Sequence, residues 1–185
     1  MTKIVGISGS LRKASFNTGL LRAAAEIMPE GASLEAHGIA SIPLYNADEE
    51  AESGIPPAVA ALKAALMSAD GVLLVTPEYN NSMSGAFKNA IDWASRPSED
   101  IGKVFGGRPF AVIGASPGGF GTILAQNAWL STLRTLGCAP WFGGRLQVSR
   151  AGKAFSSEGD LQDDAVRERL RAFMAGFVQH IRGGT

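Results

Sequence analysis

The feature that most constrains this chain is a repeated alternation of short apolar runs with longer segments whose apolar residues recur at helical spacing. The clearest run is Gly71–Thr76, GVLLVT, which shows no alternation of apolar with polar residues. A strand of that kind is covered on both faces, as strands of parallel sheets are. Lys3–Ser8 reads in the same way and ends in Gly9-Ser10. Ser33–Ile39 is a weaker second strand, Arg108–Gly114 a fourth, and Pro140–Val148 a last strand bent at Gly143 and Gly144.

Helical registers lie between them. Leu20, Leu21, Ala24, Ile27 and Met28 share one face, and Val59, Leu62 and Leu66 share another behind Pro56-Pro57. Phe87, Ile91 and Ala94 point inward from Ser84–Ser95, and Ala125, Trp129 and Leu133 from Thr122–Leu136. A closing helix carries Val166, Leu170, Phe173, Phe177 and Ile181. Pro43–Gly54 reads as a long acidic connection, and Gly152–Asp160 as a polar loop.

Five strand–helix units of this type predict an α/β fold, a parallel sheet with helices on both faces and right-handed crossovers. A chain of 185 residues is one domain by length, with too little left over for a second. Ligands of such sheets bind outside the carboxyl ends of the strands, where strand order reverses. The loops after the first, third and fourth strands are therefore the places to look for function.

Composition removes several classes of function. With 17 basic and 17 acidic residues the net charge is zero, so there is no basic footprint for nucleic acid. Cys138 is the single cysteine and cannot form an internal disulfide, which fits a reducing compartment. No apolar stretch approaches the length of a membrane span, and Met1-Thr2-Lys3 leads straight into a strand without a signal-peptide pattern. The expectation is a cytoplasmic protein without a membrane partner. No metal-ligand spacing stands out.

The first loop, Gly9-Ser10-Leu11-Arg12-Lys13-Ala14-Ser15-Phe16-Asn17, joins a buried strand to a helix N-terminus, where free N–H groups and the helix dipole favour an anion. Ser10, Ser15 and Asn17 add neutral donors, and Arg12 a charged fork. It matches neither GxxxxGK[ST] nor GxGxxG, which leaves a hydroxyl-rich cradle for one terminal phosphate. In the second loop, Pro77-Glu78-Tyr79-Asn80-Asn81-Ser82-Met83-Ser84-Gly85, Tyr79 can flank an aromatic ring, while Glu78 and Asn80 shape the turn. In the third, Ser116-Pro117-Gly118-Gly119-Phe120-Gly121, consecutive glycines let backbone lie against a flat ligand. Each loop also has a plain reading as a capped or flexible turn. Together they suit one ligand with a phosphate at one end and a planar ring at the other.

These motifs, with Lys88-Asn89-Ala90-Ile91-Asp92-Trp93, resemble those of the NADPH-dependent FMN reductase family, which includes quinone, chromate and azo-dye reductases. The resemblance implies a flavodoxin-like three-layer sandwich with strand order 2-1-3-4-5. It also implies an FMN site built from Ser10, Leu11, Arg12, Ser15, Phe16 and Asn17, with Ser10, Arg12, Ser15 and Asn17 on the phosphate. Pro77, Glu78, Tyr79 and Asn80 would line the ring, with Ser116, Pro117, Gly118 and Gly119 on its pyrimidine side. NADPH or NADH is the implied co-substrate, and a homodimer or homotetramer the implied assembly. Trp93, Trp129 and Trp141 are as well explained by packing as by an interface. By spacing alone, Lys88, Asn89, Asp92 and Trp93 read as packing, charge pairing or subunit contact.

If FMN is bound, the chemistry belongs to the cofactor and no side chain is needed as acid or base. Hydride passes from the nicotinamide to flavin N5, then two electrons go to a small acceptor in ping-pong fashion. Arg12 and Arg108 are the cations available to a 2′-phosphate. One rival is a flavodoxin-type electron carrier, a class often strongly acidic for docking, which zero net charge disfavours. Another is a serine hydrolase, because Gly6-Ile7-Ser8-Gly9-Ser10 nearly matches GxSxG. That match fails at its last position, and His180 in the closing helix is a poor partner.

Overall fold

The computed structural model describes residues 1–183. Its central sheet is parallel, in the order β2-β1-β3-β4-β5, with β6 also paired to β4. The strands are β1 (Thr2–Ser8), β2 (Ala32–His37), β3 (Gly71–Val75), β4 (Pro109–Ala115), β5 (Ala139–Pro140) and β6 (Gln147–Val148). The helices are α1 (Phe16–Glu26), α2 (Ala47–Ser53), α3 (Pro57–Ser68), α4 (Gly85–Ala94), α5 (Ile101–Val104), α6 (Ile123–Thr135) and α7 (Asp164–Ile181). The expected flavodoxin-like order is therefore present, and strand order reverses between β1 and β3.

All of β3 is buried, as its uninterrupted apolar run requires. Because side chains alternate across a strand, the sheet feeds two cores. Ile4, Leu73, Val75, Ala111 and Ile113 meet α1 and α7 on one face. Val5, Ile7, Val72, Leu74 and Phe110 meet α3, α4 and α6 on the other. Trp129 and Phe87 pack edge to face at 4.8 Å in this second core, a geometry worth about 1 kcal/mol beyond burial. Trp93 and Trp129 are fully buried, so neither is spare for an interface. Trp141 is half-buried against Phe173 and Phe177, with His180 stacked beside it.

Three segments differ from their sequence reading. The expected strand Pro140–Val148 is two short strands, both paired to β4, with residues 141–146 looped out between them. Trp141 turns inward there, and its ring covers Gly143 and Gly144, where a Cβ would crowd it. Pro43–Gly54 contains helix α2. Asn46 caps it by accepting from the Asp48 N–H at 3.0 Å, and Asp48, Glu49 and Glu50 complement its dipole. A helix this short is marginal alone. Tertiary bonds hold it: Asn89 Nδ2 and Trp93 Nε1 both donate to the Pro43 carbonyl, at 2.8 and 2.9 Å, and Arg96 pairs with Glu50. A third unexpected segment, a 3-10 turn at Ser98–Asp100 running into α5, is tied to α3 by the buried Lys63. Lys63 donates to Asp100 and to the Arg96 carbonyl.

No described helix is long and apolar enough to cross a membrane. Among the described residues, no cluster of three or more His, Cys, Asp or Glu could hold a metal ion.

Candidate functional site

The carboxyl ends of β1, β3 and β4 bring the three loops to one rim, and side chains join them pairwise. Asn17 reaches across to the end of β4: its Nδ2 donates to the Ala115 carbonyl and its Oδ1 accepts from the Ala115 N–H, each at 2.9 Å. Loop one is thus locked to the start of loop three. Ser84 Oγ donates to the Gly9 carbonyl at 2.7 Å and accepts from the Phe87 N–H, locking loop one to α4. Glu78 Oε2 accepts from the N–H groups of Leu124 and Ala125, both at 2.9 Å, locking loop two to α6.

This bonding decides where an anion fits. The N-terminus of α6 is already filled by the Glu78 carboxylate. At α1, Ser15 is the N-cap and accepts from Thr18, but no protein acceptor among the described residues takes the N–H groups of Phe16 and Asn17. Arg12 is exposed beside them, its guanidinium 5.7 Å above the Phe16 ring and without a carboxylate partner among the described residues. A free helix end, hydroxyls and one cation are an arrangement that can hold a phosphate.

Next to it lies a cleft of about 310 Å³, lined by Gly9, Leu11, Arg12, Tyr79, Ser84, Gly85 and Ala86. Tyr79 is half exposed at its edge. Asn80 and Asn81 have φ of 50° and 63°, and Tyr79 and Ser82 exchange backbone hydrogen bonds across them. Asparagine tolerates this left-handed turn, which holds Tyr79 at the rim. Trp129 Nε1 donates to Thr76 Oγ1, which donates to the Pro77 carbonyl, so the start of loop two is pinned from the core.

In loop three Ser116 is buried, its hydroxyl bonded to the Gly121 carbonyl, while Pro117, Gly118 and Gly119 are exposed. The N–H of Ser116 donates to Val148 and that of Arg150 to Gly118, so β6 and the turn after it support this loop. That support had no sequence signal. Ser84 did have one, since a serine before a helical register is a usual N-cap.

Other candidates lie elsewhere. Arg108 is at the amino end of β4, donating to the carbonyls of Ala69, Val104 and Lys103, far from the rim loops in sequence register. Ser8 Oγ pairs with Thr18 Oγ1 at 2.9 Å rather than with a histidine, so the near-match to GxSxG has no nucleophile geometry. His37 pairs with Glu35.

The profile of the NADPH-dependent FMN reductases matches residues 2–153. The chain belongs to that family. An NAD(P)H-dependent FMN reductase of Pseudomonas aeruginosa is 44% identical over 184 residues, covering 98% of this chain and 97% of that one. A 2-hydroxy-1,4-benzoquinone reductase of a Burkholderia species is 36% identical, covering 97% and 96%. Among solved structures, the flavoenzyme NAD(P)H:(acceptor) oxidoreductase FerB of Paracoccus denitrificans superimposes with a TM-score of 0.86 at 33% identity, over 99% of this chain and 98% of that one. This family member is thus an oxidoreductase with FMN as cofactor and NAD(P)H as electron donor. The residues present fit that cofactor: a free helix end with Arg12 for the phosphate, and a neighbouring cleft with Tyr79 for the ring.

Proposed function

We propose that this FMN reductase is a quinone-reducing enzyme, one domain over its whole length, in which nicotinamide and a small acceptor use the same cleft in turn. The observation that carries this reading is the pairing of the open phosphate seat at α1 with the cleft beside it, walled by Leu11, Tyr79 and the start of α4. Relatives along nearly the whole chain that are named as quinone reductases support the acceptor class.

When bound, FMN would supply the two-electron chemistry between nicotinamide and acceptor. The chain's own residues position it. Ser10, Arg12, Ser15 and the Phe16 and Asn17 N–H groups hold the phosphate. Phe16 gives that loop its apolar backing and Leu11 faces the cleft, and Pro77, Glu78, Tyr79 and Asn80 would shape the wall along the ring. In the segment Ser116, Pro117, Gly118 and Gly119, the N–H groups of the two glycines would face the pyrimidine side and stabilise negative charge there, since the Ser116 N–H is taken by Val148 and proline has none. No side chain acts as acid or base.

A small acceptor such as a quinone, azo dye, chromate or free flavin enters the same opening. We place the protein in the cytoplasm, where its free thiol Cys138 fits a reducing compartment, and propose a homodimer or homotetramer on the strength of exposed apolar side chains such as Leu44, Phe120 and Phe142. The test is an initial-rate study with NADPH and a benzoquinone. Parallel double-reciprocal lines are expected; converging lines require both substrates bound together and would contradict the shared cleft.

A further inference from the structure

The loop between the 3-10 turn at Ala151–Lys153 and α7, read from sequence as a polar connection, packs against the back of the phosphate seat. Phe155 and Leu161 close it with an antiparallel bridge. Inside, Ser156 Oγ accepts from the N–H groups of Glu158 and Asp160, each at 3.2 Å, and the Gly159 N–H donates to the Ser156 carbonyl at 3.0 Å. The loop is a compact, self-bonded body.

It grips α1 at two places. Gly159, buried with φ of 87°, lies where a Cβ would be 3.0 Å from the Ala14 carbonyl carbon and 3.2 Å from the Ser15 carbonyl oxygen. Its own carbonyl sits so close to Gly19 that a Cβ on that residue would collide with it. A glycine inside a helix is unfavourable unless backbone must approach there, and here backbone does. Arg22, one turn on, donates to Asp160 at 2.6 Å. The second grip is aromatic. The buried Phe155 ring packs on Phe16 at 5.3 Å, and the Arg12 guanidinium lies over the Phe16 ring. Phe155, Phe16 and Arg12 thus form a column from core to rim.

We propose that the segment Phe155–Leu161 is the positioning element for the FMN phosphate, and that Phe155 and Gly159 set how tightly FMN is retained. The inference rests on the reading that loop one holds the phosphate. Gly159 fixes the backbone of Ala14 and Ser15, and with it the direction of the N–H groups of Phe16 and Asn17. Phe155 fixes the ring on which the Arg12 guanidinium rests; both are preorganisation effects, spent before the ligand arrives. Neither residue lines the neighbouring cleft.

Riboflavin, which has the ring but no phosphate, separates this role from a general loss of structure. The full-length protein and its Phe155→Leu and Gly159→Ala variants are titrated with FMN and with riboflavin, reading flavin fluorescence. Phe155→Leu keeps an apolar core residue and serves if Gly159→Ala does not fold. The unmodified protein is expected to prefer FMN strongly. Each variant is expected to lose about five- to tenfold in FMN affinity, the size of one aromatic contact and the alignment it provides, with riboflavin affinity within about twofold. Unchanged FMN affinity, or equal loss for both ligands, overturns the positioning role. If the unmodified protein does not distinguish FMN from riboflavin, the phosphate seat itself has been misplaced.

Discussion

Asn17 and Ala115 exchange two hydrogen bonds, amide to backbone in both directions, across 98 residues of sequence. The pair welds the loop after β1 to the loop after β4. It also leaves Asn17 only one side-chain N–H for a ligand, so its larger share is in holding two loops together. Asn17 is buried, and Asn17→Ala strands both polar groups of Ala115. We expect a loss of about 3 kcal/mol in urea unfolding, since each buried group left unpaired costs about 1–3 kcal/mol. FMN occupancy should fall in parallel. A variant as stable as the parent would contradict the weld.

Arg12 is the one charged side chain of the first rim loop that lines the cleft. Arg12→Ala should leave the fold intact, because the side chain is exposed, and weaken FMN retention about tenfold, as a charge-assisted hydrogen bond is worth about 1.5–3 kcal/mol. Arg12→Lys should recover part of the loss. Flavin occupancy after dialysis reads both; equal occupancy in all three proteins would remove Arg12 from the phosphate.

Much of this arrangement was legible in the chain and part was not, for physical reasons. Burial of β3 and the inward faces of α4 and α6 follow from periodicity, because those side chains meet the sheet directly. The placement of three loops at one rim follows from the parallel topology. Packing was among the readings for Trp93, but the bonds that Asn89 and Trp93 make could not be read, because their shared partner is the main-chain carbonyl of Pro43, which no side-chain pattern announces. The same holds for Gly159, whose contacts with Ala14, Ser15 and Gly19 are backbone to backbone. The split of the last strand turns on Trp141 folding inward over two glycines, a choice made by the tertiary core.

Glu78 is a brace rather than an acid in this structure, accepting from two N–H groups at the head of α6. Glu78→Gln keeps one acceptor and gives up the charge at a helix N-terminus, for an expected cost of about 1 kcal/mol. Glu78→Ala should cost about twice that. The pH profile of turnover should keep its shape in Glu78→Gln; a displaced acid limb would show that the carboxyl takes part in proton transfer.

Asp100 is the most strongly lowered of the carboxyls held below their ordinary values, which include Glu35, Glu50 and Glu158. Hydrogen bonds from Lys103 and Lys63 lower its carboxyl from the ordinary 3.8 to about 2. A carboxyl whose folded value is depressed stabilises the fold above the unfolded value, and that contribution fades as pH falls through the folded one. Stability of the parent protein should therefore decline between about pH 4 and pH 2. Asp100→Asn should be less stable at neutral pH and show a flatter profile across that window. Parallel profiles would contradict the assignment.

Cys138 should be inert. Burial pushes its thiol up to about 12, so the thiolate is scarce at neutral pH. Labelling by a thiol-disulfide reagent should be slow in the folded protein and fast in urea; prompt labelling when folded would contradict the raised pKa of this half-buried thiol.

The central claim is that the three rim loops form one FMN site that takes electrons from NAD(P)H. An anaerobic absorbance spectrum of the purified protein, recorded before and after addition of NADPH and then NADH, tests it most directly. The account predicts flavin bands that bleach on addition of a nicotinamide donor and return with a quinone. A protein that shows no flavin bands even after incubation with FMN would contradict it.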